Sequence, residues 1–418
     1  MIRSDGQPVS LFEYQQQGGY SALEKALQSS PSDITELVKD AQLQGRGGAG
    51  FLTGVKWGFV PMGEQAPTTK YLIVNADEME PGTFKDRLLL EGNPHQMLEG
   101  IIISAYAIQA PKSYIFLRWA YKSSANRLLT AIQEATDAGY IGKDILNSGF
   151  DLEIALHTSV GRYMCGEETG LLSALEGGRA IPRAKPPFPQ ISGLFGKPSI
   201  VNNVETLCCV PHIVEKGAEW FKGLSIGDGG GTKLYGASGK VNTPGIYELP
   251  LGTPLREILE EHAGGMKNGY RFRAALPGGA STDFLTEEHM DVKMDFKSVS
   301  ACGSRLGTGT IIVMDNHTCP VGFVHNLEHF FAQESCGWCT PCREGLPWVE
   351  RILKSIELGE GQDGDLDVLR EHTSGLGPGM TFCALAPGAM APLKSALNYF
   401  EDDFQSHIRE KKCPFREN

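Results

Sequence analysis

Cys336, Cys339 and Cys342 are each separated by two residues in Ser-Cys-Gly-Trp-Cys-Thr-Pro-Cys-Arg, and a further cysteine, Cys383, follows in Thr-Phe-Cys. This spacing lets one tight loop aim three thiolates at a common point, and a remote fourth thiolate then closes the site. Zinc more often takes two separated Cys-x-x-Cys pairs. The compact triplet with a distant partner therefore favours a [4Fe–4S] cluster. Cys302 and Cys319 compete for the fourth position; Cys383 is preferred because it precedes a helical segment able to pack beside the triplet. The other thiols, Cys165, Cys208, Cys209 and Cys413, read as ordinary buried or surface cysteines. A cluster carries electrons, so the rest of the chain must be read for their source.

Four polar clusters qualify. Gly45-Arg46-Gly47-Gly48-Ala49-Gly50-Phe51 contains G-x-G-x-x-G, but it follows a helix-like segment instead of a strand, so it is no ordinary Rossmann fingerprint. Its glycines still expose backbone amides to an anion or a flat ring, and Arg46 and Lys56 could bring positive charge to phosphates. Asn75-Ala76-Asp77-Glu78-Met79-Glu80-Pro81-Gly82 ends an apolar strand, the place where open α/β sheets bind ligands, and suits hydrogen bonding to ribose or ribityl hydroxyls. Gly161-Arg162-Tyr163-Met164-Cys165-Gly166-Glu167-Glu168-Thr169 opens a helix whose amides could bind a phosphate, although acidic residues suit a first turn without any ligand. Asn202-Asn203-Val204-Glu205-Thr206 reads either as a helix cap or as a further set of ligand contacts. Together with the cysteines, these clusters point to a nucleotide-type cofactor within electron reach of a cluster.

The elements that must position them alternate. Strands are expected at Tyr71 to Val74, Tyr114 to Leu117 and Leu152 to Leu156, and helices at 32–44, Leu98 to Ala107, Ala125 to Ala138 and Thr169 to Leu175. This order implies an α/β sandwich with a mostly parallel sheet. The run Ile181-Pro182-Arg183-Ala184-Lys185-Pro186-Pro187-Phe188-Pro189 is neither helix nor central strand and reads as a linker or a rigid loop over a ligand. Gly227 to Gly231 looks like a boundary. Beyond it, strands are expected at Lys233 to Ala237, Gly245 to Leu249 and Phe272 to Leu276, with a helix from Thr253-Pro254 to Gly264-Gly265. After about residue 319 a four-helix bundle is expected, its last helix running from Ala389 to His407, with the cysteine triplet between the first two helices.

The chain has 418 residues, 41% hydrophobic and 21% charged, with ten cysteines and a formal net charge of −12. That is an ordinary globular composition, and the acidity argues against nucleic acid or an anionic membrane as the main partner. No apolar h-region opens the sequence and no run approaches membrane-spanning length, so the thiols read as metal ligands and reduced cysteines, and membrane contact is expected only through partner proteins.

Six collinear motifs resemble the F-type NADH-binding flavoprotein subunits of bacterial respiratory complex I (NADH–quinone oxidoreductase). They are the glycine loop with Thr53-Gly54-Val55-Lys56-Trp57, the three other polar clusters (the last from Val201), Lys185-Pro186-Pro187-Phe188-Pro189, and the cysteine quartet. The resemblance implies three domains: a Rossmann-like FMN and NADH domain at 1–226, a ubiquitin-like β-grasp domain at 227–318, and a helical-bundle [4Fe–4S] domain at 319–418. It implies FMN contacts from Gly47, Gly48, Lys56, Asn75, Asp77, Glu78, Tyr163, Gly166, Glu167, Asn202, Asn203 and Thr206, with Gly45, Arg46, Ala49 and Gly50 of the same loop also counted as cofactor-binding. Phe51, Phe59, Glu80, Glu168, Lys185 and Phe188 would surround NADH, and Cys336, Cys339, Cys342 and Cys383 would hold the cluster. Two departures stand out: Leu52 occupies a position where the family commonly has proline, and Ser159-Val160 replaces a commoner Gly-Ala.

NADH gives two electrons and a cluster accepts one, so a flavin is the necessary converter and no catalytic side chain is expected. The implied partners are a thioredoxin-like [2Fe–2S] subunit and further complex I subunits, with the chain in the cytoplasm, peripheral on the inner membrane's cytoplasmic side. The nearest alternative is the diaphorase subunit of an NAD-linked hydrogenase or formate dehydrogenase. Those relatives often carry added iron–sulfur domains, whereas only 44 residues precede the glycine loop here, which favours the complex I subunit.

Overall fold

The computed structural model describes residues 7–416. They form two compact units: one runs up to Met79 and includes Phe84–Leu234 and Glu248–Gly252; the other includes Glu80–Thr83, Tyr235–Tyr247 and the chain from Thr253.

The first unit is built on strands β1 (Tyr71–Ala76), β2 (Lys112–Leu117), β3 (Glu153–Thr158) and β4 (Ser199–Asn203). Their order is β3-β2-β1-β4 and every pairing is parallel. Leu72, Ile73 and Val74 are fully buried, as expected of a parallel strand covered by helices on both faces. The helix Pro94–Ile108 begins at an Asn93 cap with proline in its first turn and buries nearly every residue. On the other face Ile73, Phe116 and Val201 pack with Leu171 and Leu172 of the helix Glu168–Leu175. Truncating Ile73 to alanine there would cost about 2–5 kcal/mol.

The chain steps from β1 to β2 and β3 on one side and returns to β4 on the other. The strand order therefore reverses beside β1, and a crevice opens between the carboxyl ends of β1 and β4. Asn75 and Asn203 are register partners at that point.

The second unit carries most of a mixed sheet made of β5 (Thr232–Ser238), β6 (Gly245–Pro250), β7 (Phe272–Leu276), β8 (Leu285–Thr286) and β9 (Thr310–Asp315). The order is β6-β5-β9-β7-β8, with β5 parallel and β7 antiparallel to β9. The helix expected from Thr253-Pro254 differs: Pro254 is an extended cap with ψ 147°, Leu255–Glu257 makes a single α turn, and Ile258–His262 widens into a π turn. The Ala263 amide reaches the Ile258 carbonyl at 2.9 Å, and the wide turn keeps Ile258 and Leu259 buried.

Helices Pro320–Glu334, Thr340–Glu357, Asp365–Gly375, Leu385–Tyr399 and Glu401–Glu410 follow. The long final helix expected from Ala389 to His407 is thus two. Phe400, at φ −130° and ψ 26°, leaves the helix to bury its ring, and Glu401, Asp402 and Asp403 then open a new first turn where the amide dipoles favour carboxylates. Among the described residues no helix is long and apolar enough to cross a membrane.

Candidate functional site

The glycine loop is folded back on itself. The Gly45 amide donates to the Phe51 carbonyl at 2.8 Å and the Thr53 amide to the Leu43 carbonyl at 2.8 Å, which makes Gln44 and Leu52 an antiparallel bridge. Gly48 (φ 127°) and Gly50 (φ 67°) adopt left-handed backbone that a side chain would strain. The loop tip lies on the end of β4, where a Cβ added to Gly47 would stand 3.1 Å from the Asn203 Cβ. Gly47 and Ala49 face solvent.

Arg46 departs from its expected role beside a phosphate. Its side chain is fully buried, and the guanidinium donates to the Gly230 and Thr232 carbonyls at 2.6 and 3.0 Å. Its backbone amide donates to the Thr206 hydroxyl at 2.8 Å. An arginine flanked by glycines is free to turn inward, and here it braces the loop instead of presenting charge.

Asn75, Asn203 and the turn Tyr163–Gly166 come together at the crevice. The Asn75 side chain donates to the Gly166 carbonyl at 3.0 Å. Asn203 donates to Asp86 at 2.6 Å and accepts from Lys85 at 3.3 Å. Lys85 in turn bridges Asp86 at 2.7 Å and Glu205 at 2.9 Å, and Lys233 reaches Glu205 at 3.1 Å, all four fully buried or nearly so. Burial works against ionised Glu205, but Lys233, Lys85 and Arg46 outweigh it and hold the carboxyl down at about 2. This charged foundation is invisible in sequence, because Lys85, Asp86 and Lys233 belong to none of the polar clusters; Glu205 alone falls within one.

Glu78 and Glu167 turn their carboxylates to helix starts. Glu78 accepts from the Lys85 and Asp86 amides at 2.8 and 2.9 Å and from the Tyr121 hydroxyl at 2.9 Å. Burial is the main reason its carboxyl is pushed up. Glu167 caps the helix Glu168–Leu175 through the Thr169 and Gly170 amides, both at 2.8 Å. Asp77 accepts from Ser159 at 2.7 Å, and Asn202 from the Trp57 indole at 2.9 Å. Trp57, Ser159 and Tyr121 are supporting residues to which the sequence assigns no role, although Trp57 lies within a motif and Ser159 beside one. Tyr163 is half-buried.

What remains presented to solvent is a cationic and aromatic rim. Lys56 donates to Glu168 at 2.8 Å and to the Val201 carbonyl at 3.0 Å. Lys185 grips the other Glu168 oxygen at 2.7 Å and Glu167 at 3.3 Å. Burial would raise the Glu168 carboxyl, yet the two lysines overcome it and hold it below its usual value. Phe51, Phe59 and Phe188 are 52%, 55% and 53% exposed, high for large apolar rings. The Phe51 and Phe59 ring centroids lie 6.4 Å apart at 40°, so neither ring covers the other's face. Glu80, expected near NADH, belongs to the second unit, where its carboxylate accepts the Ser281 amide at 2.7 Å.

Leu52 has φ −63°, the value a proline would impose, so the departure from the family's residue leaves the loop's backbone in the same state.

In the second unit the Cys342 thiol is pushed up to about 12, first by burial and then by its neighbours Cys339, Cys383 and Cys336. The four thiols are thus near enough to act on one another. Of the competitors, Cys302 acts on Tyr399 and Cys319 lies against Glu357 and His407. Four neighbouring thiols fit an iron–sulfur cluster, whose irons remove the repulsion between thiolates. The open crevice with bare backbone at Gly47 and Gly166, flanked by lysines and uncovered aromatic rings, fits a flat, phosphorylated cofactor.

Residues 38–212 match the family model described as the Nuo51 FMN-binding domain, 237–285 an SLBB domain, and 322–407 the NADH-ubiquinone oxidoreductase-F iron-sulfur binding region. The chain is 55% identical over 410 residues to the F subunit of the NADH-quinone oxidoreductase of Salmonella typhimurium, covering 98% of this chain and 92% of that one. The Escherichia coli protein of the same name is also 55% identical, with the same coverage of 98% and 92%. A chain of the crystal structure of an NAD+-reducing [NiFe]-hydrogenase superposes with a TM-score of 0.83 at 34% identity, over 98% of this chain and 66% of that one.

Proposed function

The chain belongs to the family of NADH-quinone oxidoreductase F subunits, and we propose that it performs that family's electron input: oxidation of NADH at a bound FMN and delivery of single electrons to a [4Fe–4S] cluster. The observation that carries this reading is the contact chain at the strand-order reversal. Gly47 packs on Asn203, Asn203 pairs in register with Asn75, and Asn75 bonds the Gly166 carbonyl. Three sequence-distant motifs thereby form one crevice.

When bound, FMN supplies hydride acceptance with stepwise electron release, and the cluster supplies one-electron acceptance. The chain's own residues bind and orient. Amides of Gly47, Gly48, Ala49 and Gly50, with the Lys56 ammonium, would hold the phosphate, the Gly45 amide being spent on the Phe51 carbonyl; Asn75, Asp77, Asn202, Asn203 and Thr206 would line the hydroxyl-bearing chain. Arg46, Glu78 and Glu167 act through the backbone they brace. Phe51, Phe59 and Phe188 offer faces to the rings of NADH, and Glu168 with Lys185 forms the polar wall of that pocket. Stacking on these rings would hold the nicotinamide close to its acceptor and would keep water and oxygen out. Cys336, Cys339, Cys342 and Cys383, neighbours by their effect on the Cys342 thiol, would ligate the cluster.

The three family-model matches support division into a cofactor domain at 1–226, a small β-grasp-like domain at 227–318 and a helical cluster domain at 319–418. As a member of this family the chain works with other subunits of complex I; a thioredoxin-like [2Fe–2S] protein is the expected neighbour, and the assembly holds it at the cytoplasmic face of the membrane. A hydrogenase diaphorase role is the second reading, favoured by the TM-score of 0.83. It carries less weight because identity there is 34% against 55%.

Ferricyanide reduction tests the reading. NADH should drive it much faster than NADPH, since the Glu168 carboxylate disfavours an added phosphate on the ribose; equal rates would contradict the assignment.

A further inference from the structure

Cys319, set aside as a cluster ligand, sits in a second constellation. It caps the helix Pro320–Glu334, its sulfur accepting the Gly322 amide at 3.3 Å. Glu357 ends the helix Thr340–Glu357, His407 lies in Glu401–Glu410, and Cys413 follows in the tail. One ligating atom from each of the four lies within 4.8 Å of the others. The Cys319 sulfur is 3.3 Å from a Glu357 oxygen and 3.3 Å from His407 Nε2, and that nitrogen is 3.4 Å from the same carboxylate. His407 is fully buried, and Glu357 and Cys413 are each 6% exposed.

We propose that Cys319, Glu357, His407 and Cys413 bind one zinc ion that clasps the C-terminal tail to the start of the helical region. Three lines of chemistry carry it. First, the donor set is two sulfurs, one imidazole and one carboxylate, which suits zinc and not magnesium or calcium. Second, zinc bonds of about 2.0–2.3 Å in a tetrahedron put ligand atoms about 3.3–3.8 Å apart. Three of the pairs, at 3.3, 3.3 and 3.4 Å, already stand at that spacing. Third, the surroundings are those of metal ligands. The His407 Nδ1 is 2.7 Å from the Asp403 carbonyl, which only accepts, so Nδ1 carries the proton and Nε2 turns its lone pair to the cluster. The Cys319 thiolate gains the Gly322 amide and the start of a 15-residue helix. Arg416, 2.9 Å from Glu357, balances the one negative charge left by two thiolates and a carboxylate around a divalent ion.

Four protein ligands leave no open position, so the ion is structural. The site is also separate from the iron–sulfur centre. Cys319 and the triplet lie at opposite ends of a helix of 15 residues, about 22 Å at 1.5 Å per residue. Zinc would fix the far end of the same helices whose near end carries the cluster.

Metal analysis of the full-length holoprotein, purified without chelator, reads this directly. About one zinc and about four irons per chain are expected. His407→Ala and Cys413→Ser should each lower zinc about tenfold or more while flavin and iron stay. Cobalt(II) added to chelator-treated protein should develop the intense visible bands and thiolate charge-transfer absorption of a tetrahedral sulfur site, and Cys413→Ser should abolish them. Wild-type protein that takes up neither zinc nor cobalt, or variants that keep the metal, would overturn the proposal. If His407→Ala does not fold, the cobalt spectrum of the wild type and of Cys413→Ser decides.

Discussion

Asn75 and Asn203 face one another in register at the carboxyl ends of adjacent parallel strands, on either side of the point where the strand order reverses. Neither is free to drift. Asn75 is tied to the Gly166 carbonyl and Asn203 to Asp86. Beneath them, a buried cluster of lysines and carboxylates fixes the floor of the crevice.

Gly47 rests on that floor, where an added Cβ would stand 3.1 Å from the Asn203 Cβ. Gly47→Ala should push the loop tip off β4 and lower flavin occupancy several-fold without unfolding the protein. Flavin absorbance per chain and far-ultraviolet circular dichroism together check it. Full flavin content would show that the loop does not cradle the cofactor.

Lys185 draws the proline-rich loop to the helix Glu168–Leu175 through Glu168 at 2.7 Å and Glu167 at 3.3 Å. Lys185→Ala removes both pairs. The KM for NADH should rise about tenfold, the loss of roughly 1.4 kcal/mol of binding, with kcat little changed. Steady-state kinetics with ferricyanide measures the split; a fall in kcat at constant KM would place Lys185 outside NADH binding.

Leu52 sits at φ −63°, and its amide is not used in the Gln44 bridge, whose hydrogen bonds come from Gly45 and Thr53. Leu52→Pro should therefore raise stability by about 0.4–1 kcal/mol by restricting the unfolded chain. Thermal unfolding tests it, and a lowered midpoint would contradict the geometry.

These cases show what is legible in the sequence. Strand ends, the glycine loop and the cysteine triplet are local patterns, and each lies where its spacing implies. Arg46 is misleading because direction is not local: its neighbours signal a phosphate loop, whereas the carbonyls of Gly230 and Thr232 claim the guanidinium from about 185 residues away. The break at Phe400 is hidden because the apolar periodicity runs through it, and only burial of the ring shows where the helix ends. Lys85, Asp86 and Lys233 look like surface charges until the fold buries them against Glu205.

Glu328 is fully buried in the helix Pro320–Glu334, and neither carboxylate oxygen has a hydrogen-bond partner among the described residues. Burial alone pushes its carboxyl well above the ordinary value of 4.5. The folded state then holds a proton that the unfolded chain releases above pH 4.5, so stability falls as pH rises from there. Glu328→Met should add about 1–3 kcal/mol at pH 8 and less at pH 5. Thermal midpoints at the two values decide it; a gain larger at pH 5 would contradict the sign.

Cys383 acts on the buried Cys342 thiol together with Cys336 and Cys339, and Cys302 acts on Tyr399. Cys383→Ala should accordingly remove most of the bound iron, while Cys302→Ala keeps it. Iron per chain and the electron paramagnetic resonance of the reduced protein measure the difference, and the reverse order would reassign the fourth ligand.

The central claim is that one chain joins a flavin crevice to an iron–sulfur centre for NADH oxidation. Flavin and iron content of one anaerobic preparation, read with the absorbance change on adding NADH, tests it most directly. About one FMN and about four irons per chain, with the flavin band bleached by NADH, are the expected result. Protein without flavin, or with zinc where the iron should be, would contradict it.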